Sequence, residues 1–252
     1  MFSPEERARL RSDLLRRAEG DPRISAAALT GSAAEDREDR WSDIDLAFGV
    51  ASGFEVAPVL ADWTREMYER HAAVHHLDIA AGAWIYRVFL LRSGLQVDLA
   101  FVSSAEFRAL GPTFKLVFGT SQEPQPVATA SAGDLIGFAW LYALHVRSSM
   151  ARGKVWQAEY MISGLRDHAL ALACLRHGLS TVHGRGFDEL PLEVAAPFEG
   201  AIVRGLEAGE LRRAFGFAIE RLIGEMRLAD QALASRLERT LRSLGSEFEA
   251  GA

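Results

Sequence analysis

Apolar residues recur along this chain with two different periods, and the change from one to the other falls near the middle. Early on, short apolar runs alternate with polar positions as strands with a buried face do, whereas later they recur at three- and four-residue intervals as helices do. The spacing predicts a first helix over 3–18, with Ser3 as N-cap, Pro4 in the first turn and Glu6 completing a capping box; Gly20-Asp21-Pro22 ends it. Ile24 to Leu29 is a short apolar segment leading into Gly31-Ser32, and Ile44 to Val50 is the next strand. A helix is predicted over 62–71, with Trp63, Met67 and Tyr68 on one face. Ile85–Leu91 and Leu95–Phe101 then flank Arg92-Ser93-Gly94, a three-residue hairpin connection.

After about Val102 the pattern changes. Ser121-Gln-Glu-Pro-Gln-Pro126 reads as a linker, because two prolines among polar neighbours interrupt both periods. Helices are predicted over 134–150, 155–177, 192–203 and 210–244, the last broken near Gly216 or Gly224, with Gly178 just past the end of the second. The fold expectation is α+β, a small mixed β-sheet domain over 1–125 followed by an α-helical bundle over 126–252.

Within the strand pattern, Ser42-Asp43-Ile44-Asp45-Leu46 carries chemistry. Side chains alternate on a strand, so Asp43 and Asp45 share one face while Ile44 and Leu46 turn into the core. Two carboxylates side by side repel unless a cation sits between them, and hard oxygen donors suit Mg²⁺ held jointly with substrate phosphates. Asp98, in Gln96-Val97-Asp98-Leu99-Ala100, repeats the placement on a later strand. Pairing that strand near Asp43-Ile44-Asp45 gathers three carboxylates, enough for two Mg²⁺ ions roughly 3.5–4 Å apart in an in-line phosphoryl displacement.

Composition narrows the partners. The 252 residues are 49% hydrophobic and 25% charged, enough for one large or two modest domains. A formal net charge of −6 argues against the nucleic-acid backbone as main partner, but leaves room for a Mg²⁺-nucleotide at a local site. The single cysteine, Cys174, lies in an apolar helical run and reads as a small buried hydrophobe, so no disulfide framework or thiolate zinc cluster forms within the chain. Met1 to Arg11 is charged without an apolar core, and no run of about 18 apolar residues occurs. The expectation is a cytoplasmic protein without a membrane partner.

Gly31-Ser32, ten intervening residues, Asp43-Ile44-Asp45-Leu46 and the later Asp98 resemble the DNA polymerase β-type nucleotidyltransferase superfamily. The helical second half brings the resemblance nearest in layout to aminoglycoside and lincosamide nucleotidyltransferases. The motifs cover about 24–102; the helical half matches only in general layout. The resemblance implies that Gly31 and Ser32 meet the triphosphate, that Asp43 and Asp45 hold two Mg²⁺ ions and that Asp98 completes the metal site. One departure stands out. Many relatives carry an arginine and a further glycine shortly after the glycine-serine pair, whereas this chain reads Ala33-Ala-Glu-Asp-Arg37-Glu-Asp-Arg40, leaving Arg37 or Arg40 to supply the positive charge.

The helical half offers a second polar cluster, including His145, Arg147, Arg152, Lys154, Trp156, Gln157, Glu159 and Arg166. Glu159, Ser163 and Arg166 share a helix face. By the same resemblance Glu159 is a general base for the acceptor hydroxyl and Lys154 a contact to the nucleotide phosphates; a solvated face of ordinary ion pairs fits them equally, and Asp98 is the alternative base. His75-His76 with Asp78 makes a poor metal site, since adjacent histidines on a strand face opposite ways, and His168, His177 and His183 show no ligand-like spacing. Trp140, Tyr142, Trp156 and Tyr160 read as core or interface aromatics.

The expected activity is Mg²⁺-dependent transfer of a nucleoside monophosphate, AMP from ATP or the equivalent from another nucleoside triphosphate, to a hydroxyl of a small molecule. An aminoglycoside or lincosamide antibiotic is the acceptor class that the resemblance suggests. A protein-modifying, antitoxin-like nucleotidyltransferase and a non-catalytic nucleotide sensor are the alternatives. Oligomeric state and acceptor are not legible in the residues.

Overall fold

The computed structural model describes residues 2–111, 113–125 and 130–246. Pro126, the end of the expected linker, and Met1 lie outside the described residues. The chain divides into two compact units, Met1–Val127 and Ala128–Ala252.

The first unit begins with α1 (Pro4–Gly20), whose capping box forms as expected: the Glu6 amide donates to Ser3 Oγ at 3.2 Å and the Ser3 amide to Glu6 Oε2 at 2.8 Å. Next come β1 (Ile24–Thr30), a single helical turn α2 (Gly31–Ala34), β2 (Ile44–Val50), α3 (Val56–Arg70), β3 (Ala73–Ala81), β4 (Trp84–Leu91), β5 (Gln96–Ser103) and β6 (Phe114–Phe118). The six strands form one sheet in the order β3-β4-β5-β2-β1-β6. β2 and β5 pair in parallel and the other neighbours are antiparallel, which gives the mixed sheet expected. Two of these strands have no counterpart in the sequence pattern. β6 falls beyond the change of period at Val102, and its middle residues are exposed, so it shows no alternation; β3 is exposed along most of its length. Both are edge strands, and pairing rather than burial makes them strands. α3 starts six residues before the predicted 62, because Val56, Val59 and Leu60 extend its apolar face.

Both sheet faces are covered, differently. Ile44, Leu46 and Phe48 of β2 and Val97, Leu99 and Phe101 of β5 point to the face packed by α1 and α3, where Phe48, Phe101 and Trp63 form a ring cluster with centroids 4.7–5.6 Å apart. The opposite face is built from small residues, Ala26, Ala28, Ala47 and Ala100, with Trp84 and Phe107 beside them. The acidic residues stand on this second face.

The second unit is helical: α4 (Ala132–Ala151), α5 (Val155–Arg176), α6 (Leu192–Ala195), α7 (Ala208–Ala229) and α8 (Gln231–Ser246). No strand is found among its described residues. In place of the one helix predicted over 192–203, α6 is a single turn and Ala196–Ala201 continues as a 3₁₀ helix, since Pro197 supplies no amide donor. The long final segment breaks at Asp230 instead of at Gly216 or Gly224, which both lie inside α7. Asp230 is extended (φ −153°), and its carboxylate accepts the Leu233 amide at 2.9 Å, starting α8 as an N-cap. Cys174 is fully buried in this core, in keeping with its apolar run, and burial pushes its thiol pKa up. No described helix is long and apolar enough to cross a membrane.

Candidate metal and nucleotide site

The parallel pairing of β2 with β5 sets Asp45 opposite Asp98, and Asp43 immediately precedes β2. Strand alternation does the rest: with Ile44, Leu46, Val97 and Leu99 buried on one face, Asp45 and Asp98 must stand on the other. One carboxylate oxygen from each of Asp43, Asp45 and Asp98 lies within 4.8 Å of the other two, and all three residues are half-buried.

Asp43 and Asp98 share one neutral neighbour. The Gln96 amide donates to Asp98 Oδ1 at 3.0 Å and reaches Asp43 Oδ2 at 3.3 Å. Burial pushes the Asp98 carboxyl up to about 6, Gln96 opposes the shift, and the Asp43 charge adds to it. Converging hard oxygen donors, one of them half-buried beside a second carboxylate, fit a divalent cation such as Mg²⁺, which would relieve both the burial and the repulsion.

Gly31 explains the glycine-serine pair. Its backbone is left-handed (φ 59°), and a Cβ there would come within 2.0 Å of Asp45 Oδ2. Only glycine lets the chain turn this close to the carboxylate. The turn continues through Ser32, whose carbonyl accepts the Arg37 amide at 3.0 Å.

The loop from α2 to Asp43 is held by a residue that no motif singles out. Arg7 of α1 is 4% exposed; its Nη1 donates to the carbonyls of Asp39 at 2.6 Å and Ser42 at 2.9 Å. Its Nε lies 3.2 Å from Glu38 Oε1 in an ionic contact that lacks hydrogen-bond alignment, and Arg11 approaches the other Glu38 oxygen at 2.5 Å. Asp39 Oδ1 accepts the Trp41 amide at 2.8 Å and the Ser42 hydroxyl at 3.0 Å, closing the loop on itself. Arg7 thus fixes the backbone that delivers Asp43. Nothing in its local sequence distinguishes it from the other arginines of α1.

Of the two basic candidates in this loop, Arg37 pairs with Glu35 and Arg40 lies exposed, its guanidinium 4.4 Å from the centre of the Trp41 ring. Lys154 and Glu159 belong to the helical unit. Lys154 is the exposed N-cap residue of α5, and Glu159 Oε1 accepts the Ser163 hydroxyl at 2.9 Å, so those two share a helix face as expected; Arg166 turns instead to Asp167. His76 meets the Tyr68 hydroxyl at 2.9 Å while Asp78 is clamped by Arg87, so the His75-His76-Asp78 set is divided among other partners. Of the aromatics read as core or interface residues, Trp156 and Tyr160 are 74% and 64% exposed and so are not core residues, whereas Tyr142 packs against the helical core.

No protein-family model matches the chain, and no curated protein matches it in sequence. Among solved structures it is similar to an aminoglycoside 6-adenyltransferase from Bacillus subtilis, at 13% identity and a TM-score of 0.39 over 97% of this chain and 99% of the other. It is also similar to the polymerase core of TRAMP, an RNA surveillance complex, at 14% identity and a TM-score of 0.31 over 98% of this chain and 58% of the other. At these distances the chemistry is argued from the carboxylates themselves.

Proposed function

We propose that the protein is a Mg²⁺-dependent nucleotidyltransferase that moves a nucleoside monophosphate, AMP from ATP in the first instance, onto a hydroxyl of a small molecule. The convergence of Asp43, Asp45 and Asp98 within 4.8 Å is the observation that carries this reading. A pure nucleotide sensor has no need of three clustered acids, and the reading therefore favours turnover.

Asp43, Asp45 and Asp98 would hold the metal, which when bound supplies neutralisation of the triphosphate charge and activation of the attacking hydroxyl. Gly31 keeps the turn clear of the Asp45 carboxylate, so that the Ser32 hydroxyl and backbone can meet phosphate oxygens, with Arg40 as the basic contact of the same unit. The acceptor oxygen bonds to the α-phosphorus as the bond to the β-phosphate oxygen breaks, pyrophosphate leaves with that electron pair, and the hydroxyl proton passes to Asp98.

Incubation with ATP, GTP, CTP and UTP, Mg²⁺ and a panel of aminoglycosides, lincosamides and simpler alcohols tests the reading by mass spectrometry. The expected product is an acceptor heavier by one nucleoside monophosphate, formed with pyrophosphate and lost on chelation of Mg²⁺. Unchanged product after complete chelation would rule out the role given to the three acids.

A further inference from the structure

Within the helical unit lies a cavity of about 320 Å³ lined by Leu135, Asp167, His168, Thr181, His183 and Phe187, among others. Scattered in sequence, His168 and His183 are brought by the fold to one hollow.

His168 is a prepared group. Its Nδ1 lies 2.8 Å from the Gly164 carbonyl, and because a carbonyl can only accept, Nδ1 carries the proton and Nε2 of the neutral ring is left as an acceptor. Phe138 and Tyr142 hold the ring, with centroids 5.7 and 5.1 Å away. Tyr142 fits there because residue 164 is glycine: a Cβ would sit 2.4 Å from Tyr142 Cε1. One glycine thus both fixes the tautomer and makes room for the ring that fixes the orientation. The lining also includes His183 and Gly184, where the chain turns in left-handed backbone (φ 56° and 72°), a strained state for histidine that the surrounding turns hold in place.

The polar inventory of the cavity is weighted towards acceptors, with the His183 imidazole and the Thr181 hydroxyl able to act either way. His168 Nε2 and the Asp167 carboxylate accept. Asp167 takes both hydrogen bonds from Arg166, at 2.9 and 2.8 Å, on Oδ1, which offsets its charge. The described lining includes no Lys or Arg, while Phe187 and Leu135 offer an apolar wall. Groups that both donate and accept, such as hydroxyls, together with an apolar face suit this lining, and an anion finds no Lys or Arg in it. The volume is at the small end for ligand sites.

We propose that this cavity binds a neutral, polyhydroxylated ring of about monosaccharide size, its hydroxyls donating to His168 Nε2 and Asp167 and its C–H face resting on Phe187. The site is built wholly by the helical unit and stands or falls independently of nucleotidyl transfer.

The test uses the full chain without nucleotide or metal, titrated with glucose and myo-inositol, with glucuronate as the anionic counterpart and cyclohexanol as the ring with a single hydroxyl. Binding is read by saturation-transfer NMR. Glucose or myo-inositol is expected to bind at millimolar concentration, with glucuronate and cyclohexanol about tenfold weaker. His168→Phe, which keeps a ring and removes both Nε2 and the Nδ1 bond to the Gly164 carbonyl, is expected to weaken binding about tenfold with the protein still folded at the titration temperature, and Thr181→Val, which leaves that bond in place, several-fold. Should His168→Phe fail to fold, Thr181→Val carries the test. Absence of binding by either polyol, glucuronate binding as tightly as they do, or a folded variant with undiminished binding overturns the assignment.

Discussion

At the scale of single residues, the strongest constraint is the contact between Gly31 and Asp45. Gly31→Ala forces a left-handed alanine and drives its methyl into the carboxylate. The expected cost is about 1–3 kcal/mol in urea unfolding, together with loss of turnover as Asp45 is displaced. Arg7→Ala leaves Glu38 with Arg11 alone and frees the carbonyls of Asp39 and Ser42; roughly 3 kcal/mol of stability is expected to go with it. Turnover should fall beyond what lost stability explains, measured at a temperature where the variant is still folded. Asp98 gives a pH signature in the metal-free protein. Its folded pKa, about 6, lies above its unfolded value, so its contribution to stability is full below the unfolded pKa and lost as pH rises through about 6. Melting temperature should therefore drop between pH 5 and 7 by more in the wild type than in Asp98→Asn. The acids and the glycine are legible in the sequence because strand alternation and a left-handed turn confine residue types to fixed positions. Arg7 is not, since its role exists only once α1 lies against a loop about thirty residues away in sequence.

At the scale of elements, hydrophobic pattern predicts strands whose apolar residues are buried and fails at exposed edges that pairing alone holds. The central strands β2 and β5 alternate cleanly around their acids, so the placement of Asp45 and Asp98 follows from period two. The edge strands β3 and β6 carry exposed apolar residues, Leu77, Ile79, Leu116 and Val117, and no local pattern announces them. In the helical unit, glycine is a weaker breaker than its propensity suggests. Gly216 and Gly224 sit within α7, where packing of Phe215, Ile219, Leu222 and Ile223 outweighs a propensity cost of about 1 kcal/mol each. The actual break uses a cap. Asp230→Ala is expected to cost about 1 kcal/mol, measured by urea unfolding, because the Leu233 amide loses its acceptor; Asp230→Ser should restore most of it.

For the whole molecule, the chain forms two compact units, a mixed-sheet unit that carries three clustered acids and a helical unit with its own cavity, and the change of hydrophobic period near Val102 precedes the boundary after Val127 because β6 still belongs to the first. The acidic net charge of −6 is consistent with small-molecule partners, and the three acids gather where a divalent cation would neutralise them. The central claim is that Asp43, Asp45 and Asp98 together support nucleotidyl transfer. Its most direct test compares the wild type with Asp45→Asn for Mg²⁺-dependent release of pyrophosphate from ATP in the presence of the acceptor panel, circular dichroism verifying that the variant is folded. The wild type is expected to release pyrophosphate and yield a nucleotide-bearing acceptor, with the rate in the variant lower by roughly 10³-fold. A folded Asp45→Asn protein that turns over at the wild-type rate would contradict that claim.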